Sequence, residues 1–293
     1  MTGNEQDATT RVRGSKNIEV PSLETDYPRY VVEPGERVSL AAIDPDQTEH
    51  YRKKKDVAKE LERQRRRIQD LQARLYAENK RGLLIVLQAM DTGGKDGTIK
   101  HVFSGVNPQG CRVSSFKAPS AEESNHDFLW RYHKSAPARG RIGLFTRSHY
   151  ADVLVVRVKG LVPEKVWRER YGQINDFERN LTLDGITVLK FFLHISKGEQ
   201  KKRLRSRLDN PDKRWKFSSA DIKERAFWDD YQAAFDDTLS KCSTEHAPWY
   251  VVPANEKWYR NLVIARTIAD TLAKIDPQFP PAEEGLELVE IPD

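Results

Sequence analysis

The segment Leu83-Leu-Ile-Val-Leu-Gln-Ala-Met-Asp91-Thr-Gly93-Gly94-Lys95-Asp96-Gly97-Thr98 holds the most concentrated chemistry in the chain. An apolar run enters a glycine-rich turn containing lysine, and an amphipathic stretch through Ile99, Val102 and Phe103 leaves it. Strand, glycine turn and helix in that order let successive backbone N–H groups converge on phosphate oxygens, and the helix N-terminus adds partial positive charge. Lys95 then brings a full charge to a transferring phosphate. Gly93, Gly94, Gly97 and Thr98 form the expected cradle. The match to G-x-x-x-x-G-K-[ST] is imperfect. Ala89 takes the first glycine position and Asp96 the hydroxyl position, with Thr98 two places later. Asp91 carries two readings. It either hydrogen-bonds its own turn, or it holds a magnesium ion or orients an acceptor phosphate, because a bare carboxylate would repel bound phosphates.

Other candidates are weaker. Ser115-Phe116-Lys117 ends an apolar run, at the edge where α/β sheets bind ligands. Lys117 is a candidate for an acceptor phosphate and equally a solvated lysine; Phe116 reads as core. His126-Asp127 has no clustered third ligand and reads as a helix surface. Between Lys197 and Lys216 nine Lys/Arg face three acids. That run is either a solvated face or, given Pro211, Trp215 and the helix breaks, a hinged lid that excludes water. Trp130, Trp167, Trp228 and Trp258 lie in helical patterns and read as packing residues.

The elements that must position these residues follow from periodicity. Runs at 83–87, 112–116, 142–145, 188–193 and 249–252 read as strands separated by amphipathic stretches. Crossovers of that length imply parallel pairing in right-handed βαβ units, hence a doubly wound α/β sandwich in one domain. Ser120…Glu123 and Ser196…Glu199 fit capping boxes that start helices. Residues 47–79 form one charged helical pattern with a narrow stripe of Val57, Leu61, Ile68, Leu71 and Leu75. Such a helix packs across the domain or pairs with a copy of itself. Residues 1–45, with four prolines, read as an extended arm able to wrap the domain, and 279–293 as an acidic tail.

Composition bounds the class. Of 293 residues, 38% are hydrophobic and 32% charged, enough for a covered sheet and too polar for a membrane protein. The stretch Met1 to Ser22 lacks the apolar centre of a signal peptide, and two cysteines, Cys111 and Cys242, make no disulfide framework. The expected compartment is the cytoplasm. A net charge of +5 points to an anionic partner without choosing it.

Taken together, several segments resemble the polyphosphate kinase 2 family. They are Gln88-Ala-Met-Asp-Thr-Gly-Gly-Lys-Asp-Gly-Thr-Ile-Lys-His101, Gly105-Val-Asn-Pro-Gln-Gly110, Ser115-Phe-Lys-Ala-Pro-Ser120 and Phe145-Thr-Arg-Ser-His-Tyr150. Lys190-Phe-Phe-Leu-His-Ile-Ser196, Leu208-Asp-Asn-Pro-Asp-Lys-Arg-Trp-Lys-Phe217 and Ala247-Pro-Trp-Tyr-Val-Val-Pro253 follow in the same order. The resemblance spans roughly residues 30–278. Ser148-His-Tyr150 followed by Asp152-Val-Leu-Val-Val-Arg157 is most similar to the subgroup acting on nucleoside mono- and diphosphates. It implies a P-loop kinase fold like that of thymidylate kinase, with five parallel strands and a helical lid at about 197–220. The implied reaction is reversible phosphoryl transfer between inorganic polyphosphate and AMP, ADP or ATP, with Mg²⁺ or Mn²⁺. Asp91 and Lys95 match the metal-linked carboxylate and loop lysine; Thr146 and Arg147 fall on a strand motif, and Arg203, Arg207 and Lys216 in or beside the lid. Many members carry Asp or Asn where this chain has Thr146, which removes a charged metal ligand.

A polyphosphate site should be a basic groove, with Lys95, Lys100, His101, Arg147 and the lid cations as its walls. Arginine forks can each grip two oxygens. With the family resemblance, the long helix implies a homodimer or homotetramer. The rival readings are an ATP-using nucleoside monophosphate kinase and a nucleic-acid-binding P-loop protein. The second would need more stacking aromatics in the basic run than Trp215 and Phe217.

Overall fold

A computed structural model describes residues 30–292, so most of the expected N-terminal arm, before residue 30, lies outside the described residues, as does Asp293. The elements in chain order are α1 (Lys54–Glu78), β1 (Gly82–Ala89), α2 (Lys95–Val102), β2 (Cys111–Ser115), α3 (Ala121–Ser124), α4 (Trp130–His133) and β3 (Ile142–Arg147). Then follow α5 (Ala151–Val158), α6 (Glu164–Leu183), β4 (Ile186–His194), α7 (Lys197–Asp209), α8 (Ser219–Arg225), α9 (Trp228–Lys241), β5 (Trp249–Pro253) and α10 (Lys257–Ile275).

The five strands form one sheet, all parallel, in the order β2-β3-β1-β4-β5. Central β1 is buried along its whole length, which is why its sequence is a continuous apolar run without alternation. Two groups of helices flank the sheet: α10 packs on α1 and α2, and α5 packs on α6 and α9. The chain leaves β1 toward β2 on one side and reaches β4 on the other. That reversal opens a crevice at the C-terminal ends of the strands, where the glycine turn sits.

Several expectations need adjusting. The long helix starts at Lys54, not near 47, because residues 49–51 are tied elsewhere. The Glu49 carboxylate accepts from Tyr259 and Arg266, and the Tyr51 hydroxyl accepts from Arg266. The buried face of α1, including Val57, Ile68, Leu71 and Leu75, is spent against α10 within this chain. Of the two alternatives for that helix, packing across the domain is the one observed. Ser120 makes a full capping box with Glu123. Ser196 makes only half of one, because the Glu199 carboxylate turns to Arg203 instead. No helix among the described residues is long and apolar enough to cross a membrane.

Candidate active site

β1 delivers the chain into the turn at residues 90–95, which closes with Gly93 N donating to Met90 O at 2.9 Å. A Cβ at Gly93 would stand 2.4 Å from the Ala89 Cβ and 2.8 Å from the Met90 carbonyl oxygen, so only glycine fits. Gly94 takes φ 106°, in the left-handed region. Lys95 opens α2 and its Nζ reaches back 3.2 Å to Ala89 O, arching over the turn. Burial pushes this ammonium below the ordinary lysine range; Asp91 opposes that shift and Arg147 adds to it. Asp91 makes no turn hydrogen bond through its side chain among the described residues; instead its backbone carbonyl accepts from Gln200 at 3.1 Å.

Around this turn lies a trough of about 600 Å³. Asp91, Gly93, Gly94, Lys95 and Gly97 form one wall, Lys117, Thr146 and Arg147 at the ends of β2 and β3 another, and Arg207, Trp215, Lys216 and Asp221 a third. The third wall is the basic segment, folded as α7, a 3-10 turn at Pro211–Lys216, and α8. Arg207 ties it together, donating to Lys216 O at 3.1 Å and lying 3.3 Å from Asp221. Burial, and then the facing Asp91, raise the Asp221 carboxyl above its usual range.

A second cavity of about 390 Å³ shares Asp91, Lys95, Lys117 and Arg147 with the trough. Beyond them it runs between Phe116, Tyr132, Leu154, Tyr231 and Phe235. Arg131 projects there between the rings of Phe116 and Tyr132, 5.1 and 5.4 Å from their centres. It donates to Lys117 O at 2.8 Å and pairs with Glu123 at 3.3 Å, while its buried Nε has no partner among the described residues. Asp152 lines the same cavity, accepting from the Tyr132 hydroxyl at 2.8 Å, and burial raises its carboxyl.

Four expected phosphate ligands sit elsewhere. Thr98 is 1% exposed, and its hydroxyl donates to Gly94 O at 3.1 Å, so it secures the first turn of α2. Lys100 and His101 are exposed in the last turn of α2 and line neither cavity. Arg203 is buried, because α7 lays it under the glycine turn. Its guanidinium donates to Thr92 O, Gly93 O, Ala254 O and Asn255 O and pairs with Glu199. It shapes the turn from behind. His126 stacks on Trp130 at 4.0 Å on the surface, as its sequence context suggested.

Sequence reasoning missed Arg131, Asp152, Asp221 and Arg260. The Leu-Trp-Arg context of Arg131 gives no spacing signal, and only the fold brings it to Phe116. Arg260 of α10 approaches Gly93 O at 3.3 Å from below. Behind Arg147, the turn Ser148-His149-Tyr150 is pinned by buried charges. Glu178 accepts from Tyr150 at 2.8 Å, lies 3.0 Å from His149, and pairs with Lys190 at 2.5 Å. Gln88 of β1 donates to Ser148 at 2.9 Å.

As for a metal, no cluster of three or more His, Cys, Asp or Glu among the described residues could hold one. Asp91, Asp96 and Asp221 line the trough. Asp91, which has no side-chain hydrogen bond in the turn among the described residues and also lines the second cavity, is the one that would best hold an ion between the two cavities. An ion there would complete its shell from phosphate oxygens and water, which suits magnesium.

Residues 51–280 match the family described as Polyphosphate kinase 2 (PPK2). The chain is 51% identical over 264 residues to an AMP/ADP-polyphosphate phosphotransferase from Meiothermus ruber, covering 90% of this chain and 99% of that protein. It is 45% identical over 258 residues to an ADP-polyphosphate phosphotransferase from Rhodopseudomonas palustris, covering 84% of this chain and 89% of that one. Among solved structures, polyphosphate kinase 2 from Arthrobacter aurescens superposes with TM-score 0.84 at 45% identity, over 88% of this chain and 93% of its own. With a family match over most of its length and relatives this similar, the chain belongs to the polyphosphate kinase 2 family.

Proposed function

We propose that this protein moves a phosphoryl group between inorganic polyphosphate in the trough and AMP or ADP in the second cavity, reversibly. One observation carries the reading: the two cavities meet at a shared set of side chains, Asp91, Lys95, Lys117 and Arg147. Donor and acceptor phosphates brought to that boundary would face each other. The trough is open and walled by cations, suiting a flexible polyanion that presents no edges to read. The second cavity is apolar with a few polar groups, the usual character of a small-molecule pocket. Its aromatic walls suit a nucleoside, and Arg131 and Lys117 suit an acceptor phosphate.

In the forward direction an acceptor phosphate oxygen attacks the terminal phosphorus of the chain. The bond to the bridging oxygen breaks, leaving polyphosphate one unit shorter. Lys95 and Arg147 neutralise the equatorial oxygens and hold the two phosphates in line, which is most of what such a reaction asks of a protein. Asp91 would hold a magnesium or manganese ion, which would supply positive charge to offset that of the phosphates. Arg207 and Lys216, on the segment 207–221, act as a lid over the trough and limit competing hydrolysis. The trough offers only Trp215 for stacking, which disfavours nucleic acid as a ligand. A homodimer or homotetramer remains our expectation, to be read by sedimentation.

The test is a donor–acceptor matrix with purified protein: AMP or ADP with polyphosphate and no ATP, and AMP with ATP and no polyphosphate. We expect ADP and ATP in the polyphosphate arms. Product only where ATP is the donor would overturn this reading in favour of a nucleoside monophosphate kinase.

A further inference from the structure

Two guanidinium groups meet beneath the glycine turn. Arg203 and Arg260 both donate to Gly93 O, at 3.0 and 3.3 Å, so two like charges stand side by side out of water. The charge on Arg203 is answered by Glu199, 2.7 Å away. That on Arg260 is not. Its remaining donors reach the neutral amide oxygen of Asn261, at 3.2 Å from Nε and 2.8 Å from Nη2. No carboxylate pairs with it among the described residues, and it is 1% exposed. Beneath the turn two guanidinium groups therefore share one carboxylate, an excess of one positive charge.

The placement of Arg260 gives that excess a direction. A Cβ at Gly94 would lie 2.0 Å from its Nη1, and one at Gly97 would lie 3.7 Å from its Nη2. Gly94 and Gly97 line the trough while Arg260 does not, so the guanidinium backs directly onto the turn. Burial, and then the neighbouring Arg203, pull its pKa down to about 9. A buried unpaired charge is costly. Arg203 already holds the carbonyls of Thr92 and Gly93, so holding the turn does not by itself require a second arginine.

We infer that Arg260 is a positioning residue for polyphosphate: its uncompensated charge acts through the back of the glycine turn, and the bound phosphate chain is its counter-ion. This rests on the reading of the trough as the polyphosphate site. At an effective dielectric suited to protein sites, a fixed charge one backbone layer from an oxyanion changes affinity by at least about tenfold.

The test uses the full chain with Arg260→Gln, Arg260→Met and Arg260→Lys. Gln is neutral and shorter but keeps an amide donor, Met is a second neutral side chain should the first fold poorly, and Lys keeps the charge without the fork. Binding of tripolyphosphate without nucleotide is measured by calorimetry, thermal unfolding without ligand, and the KM for AMP at saturating polyphosphate. The neutral variants should bind tripolyphosphate at least about tenfold more weakly, with Lys recovering part of the loss. Their ligand-free Tm should be equal or higher, because a stranded charge is gone, and the KM for AMP should not change. Wild-type affinity in the neutral variants overturns the inference alone. So does a parallel loss of Tm and AMP affinity, the mark of a merely structural residue, or a Lys variant as weak as the neutral ones. A wild-type protein that does not bind tripolyphosphate overturns the reading of the trough, and this inference with it.

Discussion

Lys95 stands between opposing influences: burial and Arg147 disfavour its charge, Asp91 favours it, and its Nζ is held 3.2 Å from Ala89 O. A cation so fixed needs little reorganisation when charge develops on a transferring phosphate, which is where preorganised groups are worth most. Lys95→Ala should therefore lower kcat/KM by about 10²–10³, or about 3–4 kcal/mol, with thermal unfolding unchanged. Near-normal turnover by that variant would mean the turn is not the reacting site. Thr146 makes a subtler case. It lines the trough at the end of β3, 6% exposed, and would add no charge to the metal proposed at Asp91. Thr146→Asp should shift magnesium activation to lower concentration, and an unchanged titration would show that this side chain does not face the ion. The glycine spacing made the turn holding Asp91 and Lys95 legible in the sequence, and the family resemblance pointed to Arg147; all three line the trough. Arg131 and Arg260 were not legible, because only the fold brings α4 to Phe116 and α10 to the back of the turn.

The elements that carry these residues were legible to different degrees. Five strands and their parallel pairing followed from apolar runs separated by long crossovers. The basic segment did not resolve, because charge alone does not say which face of α7 turns inward. In the structure that helix splits its arginines, Arg203 going under the turn and Arg207 to the trough. A comparable division of labour fixes the end of β3. Arg147 is followed by Ser148-His149-Tyr150, and the buried Glu178–Lys190 pair anchors that corner to α6 and β4. Burial works against the Glu178 carboxylate, yet Lys190 and His149 hold its pKa below the ordinary value of 4.5. A carboxyl depressed on folding contributes stability above its unfolded pKa and loses it as pH falls through the folded one. Acid titration should therefore weaken the wild type below about pH 4.5 more than a variant lacking this carboxyl. Glu178→Gln leaves Lys190 stranded and should cost about 3–5 kcal/mol at neutral pH, read by urea unfolding. A variant as stable as the wild type would show that the corner does not depend on this pair.

At the scale of the whole molecule, the open question in an all-parallel sheet is how its two edges are closed. The β2 edge is left partly bare, with Val113 54% exposed. The β5 edge is covered by the chain before α1, the described end of the extended arm that the sequence offered as a wrap for the domain. Val32 N donates to Trp249 O and Val251 N to Tyr30 O, both at 2.8 Å, forming an antiparallel cover at Val31. Farther along, Leu40 N donates to Asp236 of α9 at 2.8 Å, and Ile43 O lies 3.0 Å from His194 at the end of β4. Proline and polar residues gave the wrapping arm no strand pattern in the sequence, because a strap pairs through its backbone and needs only a few apolar anchors. Those anchors are Val32, Val38 and Leu40, each at least nine-tenths buried. At roughly 1.5–3 kcal/mol per buried aliphatic side chain their loss sums to about 5–9 kcal/mol. That is comparable to the roughly 5–15 kcal/mol that separates a folded domain from its unfolded chain. Removing residues 1–43 also bares the β5 edge, a template for pairing with another chain. The shortened protein should unfold at much lower urea and elute partly as aggregate on size exclusion, with turnover lost in proportion to the unfolded fraction. A truncated chain that unfolds at the wild-type urea midpoint and stays disperse would show that the strap is a passenger, and that the five strands and their helices close the core without it.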